Sequence, residues 1–151
     1  MRKNLLKNEA STAIIARVKN LSASHTPLWG EMTATEMLLH CNSCNQQILQ
    51  ENENKNKTTT LQQFILRILA LYIAPNFKKN IKGESRHDTK GKVDNADFEE
   101  QKTDFILLIA LFSVTTRPLT LPHPAFGNIS TNEWGIAAYK HMDHHLRQFG
   151  V

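Results

Sequence analysis

Cysteine is scarce in this chain. Only Cys41 and Cys44 occur among 151 residues, so a scaffold held by several disulfides is excluded. Proline and glycine are also few, at 5 and 6, which disfavours a loop-rich or all-β domain. Long apolar runs are missing. The two strongest, 64–74 and 105–114, are too short to span a bilayer. No export signal opens the sequence: Arg2, Lys3 and Lys7 lead into Asn8 and Glu9 rather than into an apolar stretch. Together these absences point to a cytoplasmic protein with no membrane association. The formal charge of +4 is modest. Much of the excess lies in Lys78, Lys79, Lys82, Arg86, Lys90 and Lys92, between two apolar segments. With almost no aromatic residues interleaved, that cluster reads as a solvated loop, and nucleic acid is not an expected partner.

What is present is helical patterning. The length suits one domain, residues 1–151, with a real core. Residues 2–20 read as a first helix, with Leu5, Leu6, Ala13, Ile14, Ala16 and Val18 as its apolar positions. Ser22, Ser24, Pro27 and Gly30 interrupt the pattern. Thr33-Ala34-Thr35-Glu36 is a capping box, opening a second helix that runs to about residue 51. Met37, Cys41, Cys44 and Ile48 form its inward stripe. Residues 52–59 are polar and read as a loop. Residues 60–75 form a third helix, apolar nearly all round over 64–74, which should be heavily buried or covered by a partner chain. A long basic connection follows over 76–95, then a fourth helix over 96–114. Pro118, Pro122, Pro124 and Gly127 mark an irregular loop. Ser130-Thr131-Asn132-Glu133 is a second capping box, opening the last helix. No internal repeat and no β alternation occur. The expected fold is all-α: a four-helix bundle with an additional short helix or long connection in the middle.

The chemistry concentrates at the end of the last helix, in His141-Met142-Asp143-His144-His145. Four-residue spacing puts His141 and His145 on one helix face. Trp134, Ala138, Met142 and Phe149 define an apolar stripe, and both histidines fall inside it. His144 lies at its edge. Two imidazoles buried side by side need partners for their nitrogens, and one metal ion would serve both. The competing reading has them bonded to backbone or water, or complementing the helix dipole. His40 sits beside the inward stripe of the second helix. It becomes a third ligand if that helix packs on the last one. Glu36, one turn earlier, is either a partner that orients His40 or only a cap. His123 either lines the site mouth or is an exposed loop histidine, the latter being favoured. His25 and His87 lie in polar connections and receive no role.

Other chemistries lack their signatures. Cys41 and Cys44 form a C-x-x-C pair, but a second pair is absent and no strand precedes the helix that carries it. The pair reads mainly as small packing residues, with a sulfur close to the metal site as a minor alternative. Glu-x-x-His pairs for a di-iron bundle, His-Glu-x-x-His, phosphate loops and nucleophile elbows are not found.

The run Trp29-Gly30-Glu31-Met32-Thr33, continuing through Met37 and Leu38 to His40, resembles the W-G-x-M-T-x-x-x-M-L-x-H segment of DinB/YfiT-like proteins. His123-Pro124-Ala125-Phe126-Gly127, then Glu133-Trp134, then the block from Tyr139 through His141, His144 and His145 to Phe149, resembles the C-terminal part of an uncharacterised branch of that superfamily. The matching blocks cover about a third of the chain. The resemblance implies a four-helix bundle, often homodimeric, in which three histidines hold a divalent metal such as zinc or nickel. Carried over by position, these are His40, His141 and His145, with His144 as an alternative to His145. It also implies a small-molecule substrate and chemistry of a thiol-linked transferase using a low-molecular-weight thiol, or of a metal-dependent hydrolase. A non-catalytic, dimerising bundle is the third reading.

Overall fold

In the computed structural model, residues 2–50, 58–81 and 84–151 are described. The fold is all-α. Among the described residues five α-helices run in order: α1 (Asn8–Val18), α2 (Ala34–Gln50), α3 (Leu61–Ile68), α4 (Phe98–Val114) and α5 (Thr131–Gln148). Among the described residues no strand forms, and no helix is long and apolar enough to cross a membrane. Helices α1, α2, α4 and α5 make the bundle. α4 packs on both α1 and α2, and α5 packs on the same two. Ile14, Met37, Leu38, Phe105, Ile109, Phe112, Met142 and Leu146 fill its centre, all fully buried.

Both expected capping boxes form. At α2 the Glu36 backbone N–H donates to Thr33 Oγ1 and the Thr33 N–H donates to Glu36 Oε2. At α5 Ser130 and Glu133 repeat the arrangement. Each box satisfies donors that a helix start leaves unpaired.

Two sequence expectations need correction. The first helix starts at Asn8, not near residue 2. The preceding segment bonds sideways instead: the Leu5 N–H donates to the Gly135 carbonyl on α5 at 3.0 Å, and Asn4 donates to Asn132 while accepting from the Leu6 N–H. Close approach of that segment requires Gly135, because a Cβ there would run into the buried Asn4 side chain. The third helix overturns the first of its two expectations, heavy burial within the chain, and leaves the second, cover by a partner chain, open. It is α-helical only to Ile68, continues as a π-helical turn over Leu69–Ile73, and contributes one buried residue, Leu71. It lies outside the bundle, against α5 and the loop before it. Gln63 and Arg67 donate to the Pro124 and Asn128 carbonyls, and Lys140 donates to the Ala70 and Ala74 carbonyls. Its apolar side faces outward, with Leu61 74% and Ile73 67% exposed. The side turned to the protein is the polar one, with Gln63 and Arg67, the reverse of what an amphipathic helix usually buries. Most of the loop read over residues 52–59 lies outside the described residues.

The long connection folds back over α2. A 3₁₀ turn at Ser85–His87 brings His87 into the interior. Thr89 Oγ1 donates to the Glu36 carbonyl, and the Gly91 N–H donates to Glu36 Oε1. Glu36 is thereby occupied as a helix cap and as an anchor for this connection.

Candidate metal centre

Three imidazoles converge between α2 and α5. His141 Nε2 lies 3.1 Å from His40 Nε2 and 3.0 Å from His145 Nε2. The ring centroids of His40 and His145 are 4.9 Å apart. The expected residues are thus brought together. His141 and His145 share a face because they are one turn apart, and α5 presents that face to α2.

The outer nitrogens fix the tautomers. His40 Nδ1 meets the His87 carbonyl oxygen at 2.8 Å. A carbonyl only accepts, so His40 carries its proton on Nδ1 and offers a lone pair at Nε2. At His145 the partner of Nδ1 is Gln148 Oε1, at 2.8 Å. The Gln148 amide is oriented by its own Nε2, which donates to the Trp29 carbonyl at 2.7 Å. His145 therefore also carries its proton on Nδ1 and presents Nε2 as a lone pair. His141 Nε2 holds at most one hydrogen, and one N–H cannot point along two directions at once. The centre of the cluster is short of protons and rich in lone pairs.

That arrangement fits a cation. Two imidazole nitrogens about 2.0–2.1 Å from one tetrahedral ion would stand about 3.4 Å apart. The separations of 3.0 and 3.1 Å come within a few tenths of that. The group whose ligand atoms all lie within 4.8 Å of one another, and which could hold a metal ion, is His40, Cys44 and His141; His145 stands beside it, against His141.

Electrostatics favour neutral rings, which are the ligating form. Burial holds the His145 pKa down to about 3, helped by the charge His40 would carry. Burial likewise pushes His141 well below 6.5, with His145 and His40 adding repulsion. His40 is lowered by burial too, against the opposing pull of its bond to His87.

The remaining candidates fall elsewhere. His144 packs edge-on against Trp29, with ring centroids 5.6 Å apart, and is not one of the three converging rings. Asp143 is held by Arg17 and Arg147 at 2.6 and 2.9 Å. Glu36 makes the bonds already described and does not orient His40. His123 is not an exposed loop residue: its ring stacks on Phe126 at 4.0 Å and lies 5.1 Å from Trp134, and burial lowers its pKa to about 4. Its Nδ1 accepts from the Ala125 N–H.

Sequence reasoning missed two supporting residues. His87 supplies the carbonyl for His40, while its ring bridges Ser43 Oγ at 2.8 Å and Gln47 Oε1 at 2.9 Å. No local pattern announces a residue that acts through its backbone. Gln148 had a signal: it follows His145 by three positions, within side-chain reach on one helix.

The fold and this cluster define a class: an all-α bundle with a half-buried histidine and cysteine group able to hold a metal ion. Residues 1–150 match the family model described as "Protein of unknown function (DUF1569)", and the chain belongs to that family. No curated protein and no solved structure matches it.

Proposed function

We propose that the chain is a divalent-metal protein of the DinB/YfiT-like kind, with His40, His141 and His145 as ligands, and that the centre serves thiol-linked group transfer. The observation that carries the metal reading is the convergence of three Nε2 atoms, two of them made lone pairs by partners behind the rings. A bound zinc or nickel ion would supply Lewis acidity there, lowering the pKa of a thiol or water that reaches it. The protein's own part is to hold the imidazoles neutral and aimed. His87 and Gln148 do this through the outer nitrogens, as partners of metal-ligating histidines commonly do. No carboxylate among the described residues bonds to the three rings, so the proton lost by a thiol or water at this centre would pass to solvent or buffer. A set of small thiols and electrophiles tests the transfer reading. Turnover that needs both metal and thiol supports it. Turnover of esters or amides without thiol would replace it with hydrolysis.

The orienting role has its own test. Gln148→Leu removes the acceptor behind His145 and should weaken zinc affinity by roughly 10–100-fold. The fold should persist, as read by circular dichroism. Unchanged affinity would mean that His145 needs no support or is not a ligand.

We further propose that the partner is a second copy of the chain, seated on α3. Support comes from the outward row of Leu61, Ile65, Leu66, Leu69 and Ile73, each at least 43% exposed. Isolated apolar side chains are ordinary on a surface, but a contiguous row marks an interaction face. Ile65→Glu should convert a dimer to a monomer in sedimentation velocity. A monomeric wild-type protein at micromolar concentration would refute the assignment.

A further inference from the structure

The C-x-x-C pair divides between two environments. Cys41 points into the core, fully buried, with its Sγ 3.7 Å from Met37 Sδ. Cys44 is half-buried and lies one turn after His40, with its Sγ 3.9 Å from His40 Nε2. It also falls within the 4.8 Å group formed with His40 and His141. Both thiols are free.

We propose that Cys44 is the fourth ligand of this centre, so that α2 contributes a His-x-x-x-Cys pair and α5 a His-x-x-x-His pair. This rests on the three-histidine reading and extends it. The spacing supports the assignment. Residues four apart lie one above the other on a helix face, so two facing helices can each present two ligands to one point. A thiolate sulfur about 2.3 Å and an imidazole nitrogen about 2.0–2.1 Å from a tetrahedral ion stand about 3.6 Å apart. The 3.9 Å separation of Cys44 and His40 is close to this value. Cys44 already shares the group of ligand atoms within 4.8 Å with His40 and His141, and His145 joins it through His141, 3.0 Å away. The thiol loses its proton to solvent or buffer on ligation and binds as thiolate. A fourth protein ligand occupies the position that catalytic sites leave open. Access for a substrate or small thiol then requires displacement of Cys44, which makes this cysteine the gate of the centre. Thiolate in the ligand set also shifts preference toward soft, thiophilic ions.

Cobalt(II) substitution tests this without any activity assay. The full-length wild-type protein, titrated with cobalt under reducing conditions, should show visible bands of tetrahedral cobalt together with a near-ultraviolet sulfur-to-cobalt charge-transfer band. Cys44→Ser should abolish the charge-transfer band and weaken cobalt affinity by roughly 10-fold or more, while Cys41→Ser retains both. Visible bands that need His40, His141 and His145, with no sulfur band and no change in Cys44→Ser, would overturn the cysteine assignment and leave the three-histidine centre standing. A protein that takes up neither cobalt nor zinc would overturn both.

Discussion

Wild-type protein incubated with zinc or nickel is expected to retain about one ion per chain through desalting, and His141→Ala to retain none. His141 is the decisive position because it stands between the other two rings, 3.1 Å from His40 Nε2 and 3.0 Å from His145 Nε2. Its removal takes away a ligand and separates the remaining pair by an open space. The loss should exceed the ~10–100-fold produced by removing an outer partner. His40→Ala should act similarly, since it takes away the α2 imidazole whose Nε2 the His87 carbonyl makes a lone pair. Elemental mass spectrometry on untagged protein checks the stoichiometry, and circular dichroism checks that the variants remain helical. Retention of a full equivalent in His141→Ala would place the ion elsewhere. Absence of metal from wild-type protein, after exposure to both ions, would end the enzymatic reading. The cluster would then be three neutral imidazoles with at most one hydrogen among their facing Nε2 atoms, and the search would turn to a protein partner.

The metal-free protein should be destabilised steeply by mild acid. Histidine in an unfolded chain takes up its proton near pH 6.5, whereas burial holds His123 to about 4 and His145 to about 3. Between those values the unfolded chain binds more protons than the folded one, so acid draws the equilibrium toward unfolding. The contribution is complete above about pH 6.5 and is lost progressively as pH falls toward 4 and below. Carboxylates act lower on the scale. Burial would raise Asp143, but its bonds to Arg17 and Arg147 prevail and place its pKa below 3.8. The loss between about pH 6.5 and 5 therefore belongs to the histidines. Urea unfolding with chelator present, at about pH 7.5 and about pH 5, should show a midpoint lower in acid by an amount worth a few kcal/mol. Equal midpoints would mean that these rings are protonated without cost in the folded state. Bound metal should be released over the same range, because ligation needs the neutral ring.

Several features were fixed by local sequence alone. The capping boxes at Thr33 and Ser130 set where α2 and α5 begin, because a cap is a contact between residues three apart. The i, i+4 spacing set His141 and His145 on one face, because helix geometry decides that regardless of surroundings. Periodicity and the dearth of turn residues set the all-α class. Tertiary structure decided the rest. That His40 meets His141 depends on how α2 and α5 are rotated against each other, which no one-dimensional pattern encodes. The selection of Cys44 over Cys41 for the site side of α2 follows from the same rotation. His87 reaches His40 through a carbonyl after a fold-back of 47 residues, and a backbone group carries no residue signature. The outward face of α3 was illegible for a related reason: no local pattern says that its polar side, with Gln63 and Arg67, would meet the Pro124 and Asn128 carbonyls and leave the apolar side outside.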